Sequence, residues 1–323
     1  MKDLGLDLGF GNVKVYDNRG ATIFASHLAI PGVQYAHDDE KADHSVAMVS
    51  FGGARYAVGE TSFTKGQPVS GLGMHRLLGS MEVRAITYAA LGAHFNEYGR
   101  VKDGINVYVG LPALLLTKSE KANTVASVTG WLLGAHEWTQ DGKSMHAVVE
   151  SVTVRSQASG AISDMMLTRD GVQAKDAQYT AGNFGVISIG YNTIELSGGL
   201  MGKAADTLMG SDTFGVHRLL DACNGDATLP LPHLDLKLRR GLLNGEYAGQ
   251  KRSWADQVVS FMETKWKSNA KILDRVILVG GGAQYARPEL ENIFGSRLWS
   301  PEDPYISIAR GLYKRAVADG KKG

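Results

Sequence analysis

The stretch Gly5-Leu6-Asp7-Leu8-Gly9-Phe10-Gly11-Asn12-Val13-Lys14-Val15-Tyr16 limits this chain most, because it places an acid, glycines and a lysine in one apolar ribbon. Leu4, Leu6 and Leu8 alternate as in a strand, Gly9 and Gly11 permit a tight turn, and Val13, Val15 and Tyr16 resume the strand pattern. Backbone N–H groups in such a turn approach a polyphosphate closely, Lys14 adds a point charge, and Asp7 can hold a hydrated magnesium beside it. The Gly9-x-Gly11 spacing also begins a dinucleotide fingerprint. That fold needs a helix and a third glycine directly afterwards, and Lys14 stands at that place. The β-branched residues and the Tyr16-Asp17-Asn18-Arg19-Gly20 turn predict a second strand instead.

Two further segments point the same way. Val186 to Leu196 is a second strand, turn, strand ribbon with Gly190, Asn192 and Thr193 at its tip. Arg275 to Ala283 is an apolar strand running into Gly280, Gly281 and Gly282, where a planar or charged ligand could lie against bare backbone. Two such ribbons half a chain apart, followed by a strand ending in glycines, resemble the actin-like ATPases. That superfamily also contains sugar kinases and heat-shock chaperone ATPases. The compact length and the Gly190-Tyr191-Asn192-Thr193 tip are most similar to its prokaryotic plasmid-segregation branch, the ParM-like proteins and their archaeal relatives.

The resemblance implies an α/β fold of two actin-like (ribonuclease H-like) domains with a nucleotide cleft between them. Residues 1–165 plus 303–323 would form domain I and residues 166–302 domain II. Val152 to Ala161 and Pro304 to Arg315 would be the two connections. It further implies that Gly9, Gly11, Asn12 and Lys14, with Gly190, Tyr191, Asn192 and Thr193, grip the phosphates of ATP or GTP. Gly280, Gly281, Gly282 and Ala283 would line the nucleoside. Asp7 and Ser188 would serve Mg2+, with Gln157, Asp7 and Glu195 as the catalytic set. Family members usually carry aspartate where this chain has Ser188; a hydroxyl bonds a metal-bound water without attracting the ion. Gln157 cannot be a strong base, but orienting the attacking water suffices in phosphoryl transfer, so slow hydrolysis is expected.

The expected function is a Mg-ATPase that polymerises into nucleotide-dependent filaments, in plasmid or DNA segregation or another cytoskeletal role, with a DNA-binding adaptor as a further partner. A small-molecule kinase and a non-polymerising switch of the same superfamily stay open. No catalytic acid for a kinase stands out in the connecting loops, and with the sequence running to Gly323 a chaperone's peptide-binding domain is not expected.

Composition agrees. The 323 residues suit two domains, and 34 Lys+Arg against 33 Asp+Glu give no basic field for direct nucleic-acid binding. Cys223, the single cysteine, excludes an internal disulfide and suits a reducing cytoplasm. No apolar run approaches the roughly 20 residues of a membrane span, and Met1-Lys2-Asp3 leads directly into the first strand, so a cytoplasmic location is expected. No His-Glu-x-x-His, Gly-x-Ser-x-Gly or Gly-x-x-x-x-Gly-Lys-Ser/Thr motif occurs.

Elsewhere the pattern predicts a helix over Met81 to Tyr98 and a strand over Ile105 to Pro112. A helix capped by Ser253 should bury Trp254, Val258, Met262 and Trp266, with Phe261 on the same face. A short helix should open at Pro288, and a final one should run from about Pro304 to Ala318. Lys237, Arg239 and Arg240 read as a solvated helix face. Residues 36–66 and 225–252 read as small insertions.

Overall fold

The computed structural model describes residues 2–32, 45–69, 73–101, 103–225, 231–242, 245 and 247–321. Parts of both expected insertions, 36–44, 226–230, 243–244 and 246, lie outside these residues.

The strands of the first sheet are β1 (Lys2–Leu8), β2 (Asn12–Tyr16), β3 (Ala21–Ala25), β4 (Leu28–Pro31), β5 (Val46–Phe51), β6 (Ala54–Gly59), β7 (Gly66–Pro68), β8 (Ile105–Leu111), β9 (Gly134–Gln140) and β10 (Lys143–Ser156). Their order is β3-β2-β1-β8-β10-β9-β5-β6-β4-β7. A second sheet, ordered β13-β12-β11-β15-β16 with β14 also on β12, uses β11 (Phe184–Ile189), β12 (Ile194–Leu200), β13 (Lys203–Ala204), β14 (Gly210–Asp212), β15 (Arg275–Val279) and β16 (Leu298–Trp299). The α-helices are α1 (Met81–Tyr98), α2 (Lys121–Leu132), α3 (Gln157–Met166), α4 (Val216–Cys223), α5 (Leu231–Arg239), α6 (Ala248–Trp266), α7 (Asn269–Ile272), α8 (Ala283–Phe294) and α9 (Ser307–Gly320).

The two sheets repeat one design. In the first, β1 pairs antiparallel with β2 and parallel with β8; in the second, β11 pairs antiparallel with β12 and parallel with β15. Asp7 faces Lys14 across the first hairpin, and Ser188 faces Glu195 across the second. Buried strands read as apolar runs, and Val276 to Val279 are all fully inaccessible.

Between the sheets lie α3 and α9, sharing a core in which Ala158, Ala161 and Met165 of α3 and Ile308, Leu312 and Ala316 of α9 meet Tyr108 on one side and Val186, Ile277 and Val279 on the other. The helices cross so closely that a Cβ on Gly311 would stand 1.8 Å from the Gly160 carbonyl oxygen, so a larger residue would force them apart. Asp164 bolts the crossing: it accepts from Ser307 Oγ at 2.7 Å, from Arg310 Nε at 2.8 Å and Nη2 at 2.6 Å, and pairs with Lys314 Nζ at 2.8 Å. Residues 152–161, expected to be a connection, are the end of β10 and the start of α3, capped by Ser156 Oγ on the Ser159 N–H.

Several local expectations need correction. Ser253 lies inside α6, which starts five residues earlier at Ala248; Trp254, Val258, Met262 and Trp266 are nonetheless buried as expected. Pro288 sits inside α8 rather than at its start. There the burial of Ala283, Ala286 and Leu290 outweighs the hydrogen bond that a proline forfeits. The last helix begins at Ser307, not Pro304. Within residues 46–59, β5 and β6 pair with each other and join the first sheet through β9.

Candidate functional site

The hairpin tips, residues 9–11 and 190–193, line one cleft together. Each tip is fastened from behind through its carbonyl oxygens. In the first, Gly11 O accepts from the Ser26 N–H at 2.9 Å and Gly9 O from Ser26 Oγ at 2.7 Å. In the second, the first turn of α4 and the residue before it do the same work: Gly215, Val216 and His217 N–H groups bond the carbonyls of Asn192, Gly190 and Tyr191 at 3.1, 3.0 and 2.9 Å. Engaged carbonyls repel an incoming anion less, which suits both turns to phosphate.

Asp7, 1% exposed, stands at the base of the first hairpin. Lys14 Nζ donates to its Oδ2 at 2.9 Å, and Gln157 Nε2, on the first residue of α3, donates to its Oδ1 at 2.8 Å. Both carboxylate oxygens are thus held, by a cation and an amide that reach Asp7 from different elements. Ser188, Gly190, Tyr191, Asn192 and Thr193 line the opposite wall with Asp7, Gly9, Gly11, Asn12 and Lys14 on this one.

Gly280 and Gly281 form one end of the cleft. Gly280 has φ +96°, and a Cβ there would meet Ile189 O at 2.4 Å, so the turn out of β15 requires glycine. Gly282 and Ala283 do not line the cleft: the Gly282 N–H donates to Ile189 O at 2.9 Å, and Ala283 opens α8 in the core.

Glu195 is also set apart from the cleft surface. Its carboxylate accepts the Ala113 N–H with both oxygens, at 3.1 and 3.2 Å, tying β12 to the segment after β8. Burial pushes its pKa up to about 7; the Ala113 hydrogen bond opposes that rise and the Asp7 charge adds to it. It is a seam between the sheets, half-neutral near pH 7, where the sequence suggested a catalytic group.

Other cleft residues escaped the sequence reading: Phe10, Pro112, Val216, Asp235, Arg239, Tyr285, Tyr305 and Ile308. Tyr305 lies where a Cβ on Gly281 would be 3.0 Å from its ring. Arg239 is no solvated charge: its side chain is 17% exposed and pairs with Asp235 at 2.7 Å. Only its neighbour Arg240, at 59%, fits that expectation. Signals for these residues were weak, because topology alone brings α5 and the segment before α9 to the cleft.

Among the described residues no group of three or more His, Cys, Asp or Glu side chains could hold a metal by itself. A magnesium ion would therefore rest on Asp7 and phosphate oxygens together, the usual mode for that ion. Buried Asp7 and the Ser188 hydroxyl on the opposite wall suit this donor set. No described helix is long and apolar enough to cross a membrane.

A family model described as the actin like proteins N terminal domain matches residues 5–160. No curated protein matches the chain by sequence, but solved structures do in fold. The apo ParM protein of psk41 is 16% identical with a TM-score of 0.76, covering 99% of this chain and 98% of its own. Ta0583, an archaeal actin homolog solved in complex with ADP, is 20% identical at 0.73, covering 98% and 99%. A subunit of a 15-stranded ParM filament from Clostridium botulinum is 16% identical at 0.70, covering 100% and 99%. Residues 5–160 thus match an actin-like N-terminal domain, and the chain as a whole has the actin-like fold. Within that class its fold is of the ParM-like and archaeal actin-like kind.

Proposed function

We propose that the cleft binds a magnesium nucleoside triphosphate, ATP or GTP, that the chain hydrolyses it slowly, and that subunits assemble into filaments in the nucleotide-bound state. The observation that carries this reading is the meeting of Asp7, Lys14 and Gln157 between two opposed hairpin tips. The ADP complex and the filament among the similar structures support it.

In this reading residues 1–165 with 303–323 and residues 166–302 are the two halves of a clamp hinged on α3 and α9. Magnesium, when bound, neutralises charge on the phosphate oxygens. Lys14 would leave Asp7 for the phosphates as the nucleotide enters, and Asp7 would then be free to hold the ion. Gln157, freed at the same moment, orients the attacking water. It lacks the basicity to take the proton, so turnover is slow. Ser188 bonds a water of the ion without adding charge. Filaments of this kind serve plasmid or DNA segregation or another cytoskeletal role in the cytoplasm, through an adaptor that carries the DNA contact.

Light scattering and phosphate release, followed together after adding Mg-ATP or Mg-GTP to the purified chain, test the proposal. Scattering that rises ahead of phosphate release is expected. Phosphate release without scattering at any protein concentration overturns the polymer and leaves a switch or a kinase.

A further inference from the structure

One contact between the halves of the molecule is built from several charged side chains. The helix α5 reaches across the cleft to the first sheet. Asp235, 4% exposed, pairs with Arg239 four residues on at 2.7 Å and with His27 Nε2, in the turn between β3 and β4, at 3.4 Å. Arg239 Nη1 stands 3.5 Å from Asn12 Oδ1, on the first hairpin, and 3.8 Å from Glu60 Oε1, just after β6. Arg240 Nη2 reaches the other Glu60 oxygen at 3.4 Å. Beside these pairs an open pocket lies between Phe10, Leu28 and Phe63 on one side and Tyr191 and Leu231 on the other, and the Phe63 ring meets His233 of α5 edge to face at 5.9 Å. The ion pairs, together with that ring contact, attach α5 to the first sheet.

Arg239 and Asp235 belong to both structures, since they also line the cleft. We propose that the strap of Glu60, Arg239, Arg240, Asp235 and His27 gates nucleotide exchange: a nucleotide leaves only when α5 lifts from the first sheet, and Arg239 links cleft occupancy to the closed strap. The proposal rests on the reading of the cleft as a nucleotide site. It makes Glu60, which does not line the cleft, a positioning residue for exchange.

The test uses the full chain and a fluorescent ATP analogue with magnesium, displaced by excess unlabelled ATP in stopped flow. Glu60→Gln removes the negative charge that faces both arginines; exposed and half-exposed pairs of this kind predict dissociation about two- to fivefold faster. Wild-type dissociation should accelerate with added salt and that of Glu60→Gln should respond less, because screening acts on the pairs already lost. Arg240→Gln should give a smaller change in the same direction. In Glu60→Cys/Arg240→Cys, joined by a short reducible bis-thiol linker, the bound analogue should be retained at least about tenfold longer, and reduction should restore release. Dissociation at the wild-type rate in Glu60→Gln and in the linked variant, with the analogue still binding, overturns the strap alone. Failure of the wild-type chain to bind the analogue at all overturns the nucleotide reading and the gate with it.

Discussion

Replacing Asp164 by Asn should loosen the crossing of α3 and α9. Asp164 is 4% exposed and holds Ser307, Arg310 and Lys314, so the substitution leaves two cations facing a neutral amide. Breaking a buried pair costs about 3–5 kcal/mol. The Arg310 and Lys314 side chains are 21% and 13% exposed and recover some hydration, and Asn keeps one acceptor for Ser307, which brings the expected loss to about 2–3 kcal/mol. For a chain of 323 residues that lowers the melting temperature by about 3–4 °C. The hydrogen bonds and charges of Arg310 and Lys314 hold the Asp164 pKa below the usual carboxylate range, against the effect of burial, which is the largest single influence and raises it. A lowered folded-state pKa adds stability above the unfolded value of about 4 and loses it as pH falls through the folded one. The gap between wild type and Asp164→Asn should therefore be full at pH 7 and shrink below about pH 4. Differential scanning calorimetry at several pH values measures both. A shift under about 1 °C at pH 7, or a gap unchanged at pH 3, would refute the argument.

Lys14→Ala should weaken nucleotide binding about 10- to 100-fold by fluorescence titration, and the affinity of the variant should depend less on salt. Gln157→Ala should slow phosphate release at least about tenfold while leaving the dissociation constant within about threefold, separating water positioning from binding. For Glu195 the sign is opposite to that of Asp164. A raised folded-state pKa, about 7 here, means that stability falls between the unfolded value of about 4 and about pH 7 and then levels. Glu195→Gln, whose side-chain oxygen can still accept from Ala113, should remove that decline in urea melts run from pH 5 to 8.

What the sequence made legible was local. Alternating leucines, two glycines and Lys14 specify the first hairpin within twelve residues, and the stripe from Trp254 to Trp266 marks a buried helix face whatever surrounds it. Helix ends were less legible, because α6 and α8 extend past their expected starts under the pull of their packing. The cleft was half visible. Residues on the hairpins and the glycine run declare themselves by spacing, whereas Arg239, Asp235 and Tyr305 acquire their positions only when distant segments are folded onto the same cavity. Arg239 illustrates the difference: three basic residues in four positions look like a solvated face, yet one of them turns inward to a buried carboxylate.

The most direct test of the account is the structure of the chain with magnesium and a non-hydrolysable ATP analogue, by crystallography or electron microscopy. The account predicts triphosphate density between residues 9–14 and 190–193, the nucleoside against Gly280 and Gly281, and Lys14 moved from Asp7 to the phosphates. Nucleotide bound elsewhere, or bound there with the Asp7–Lys14 pair intact and no ion at Asp7, would contradict it.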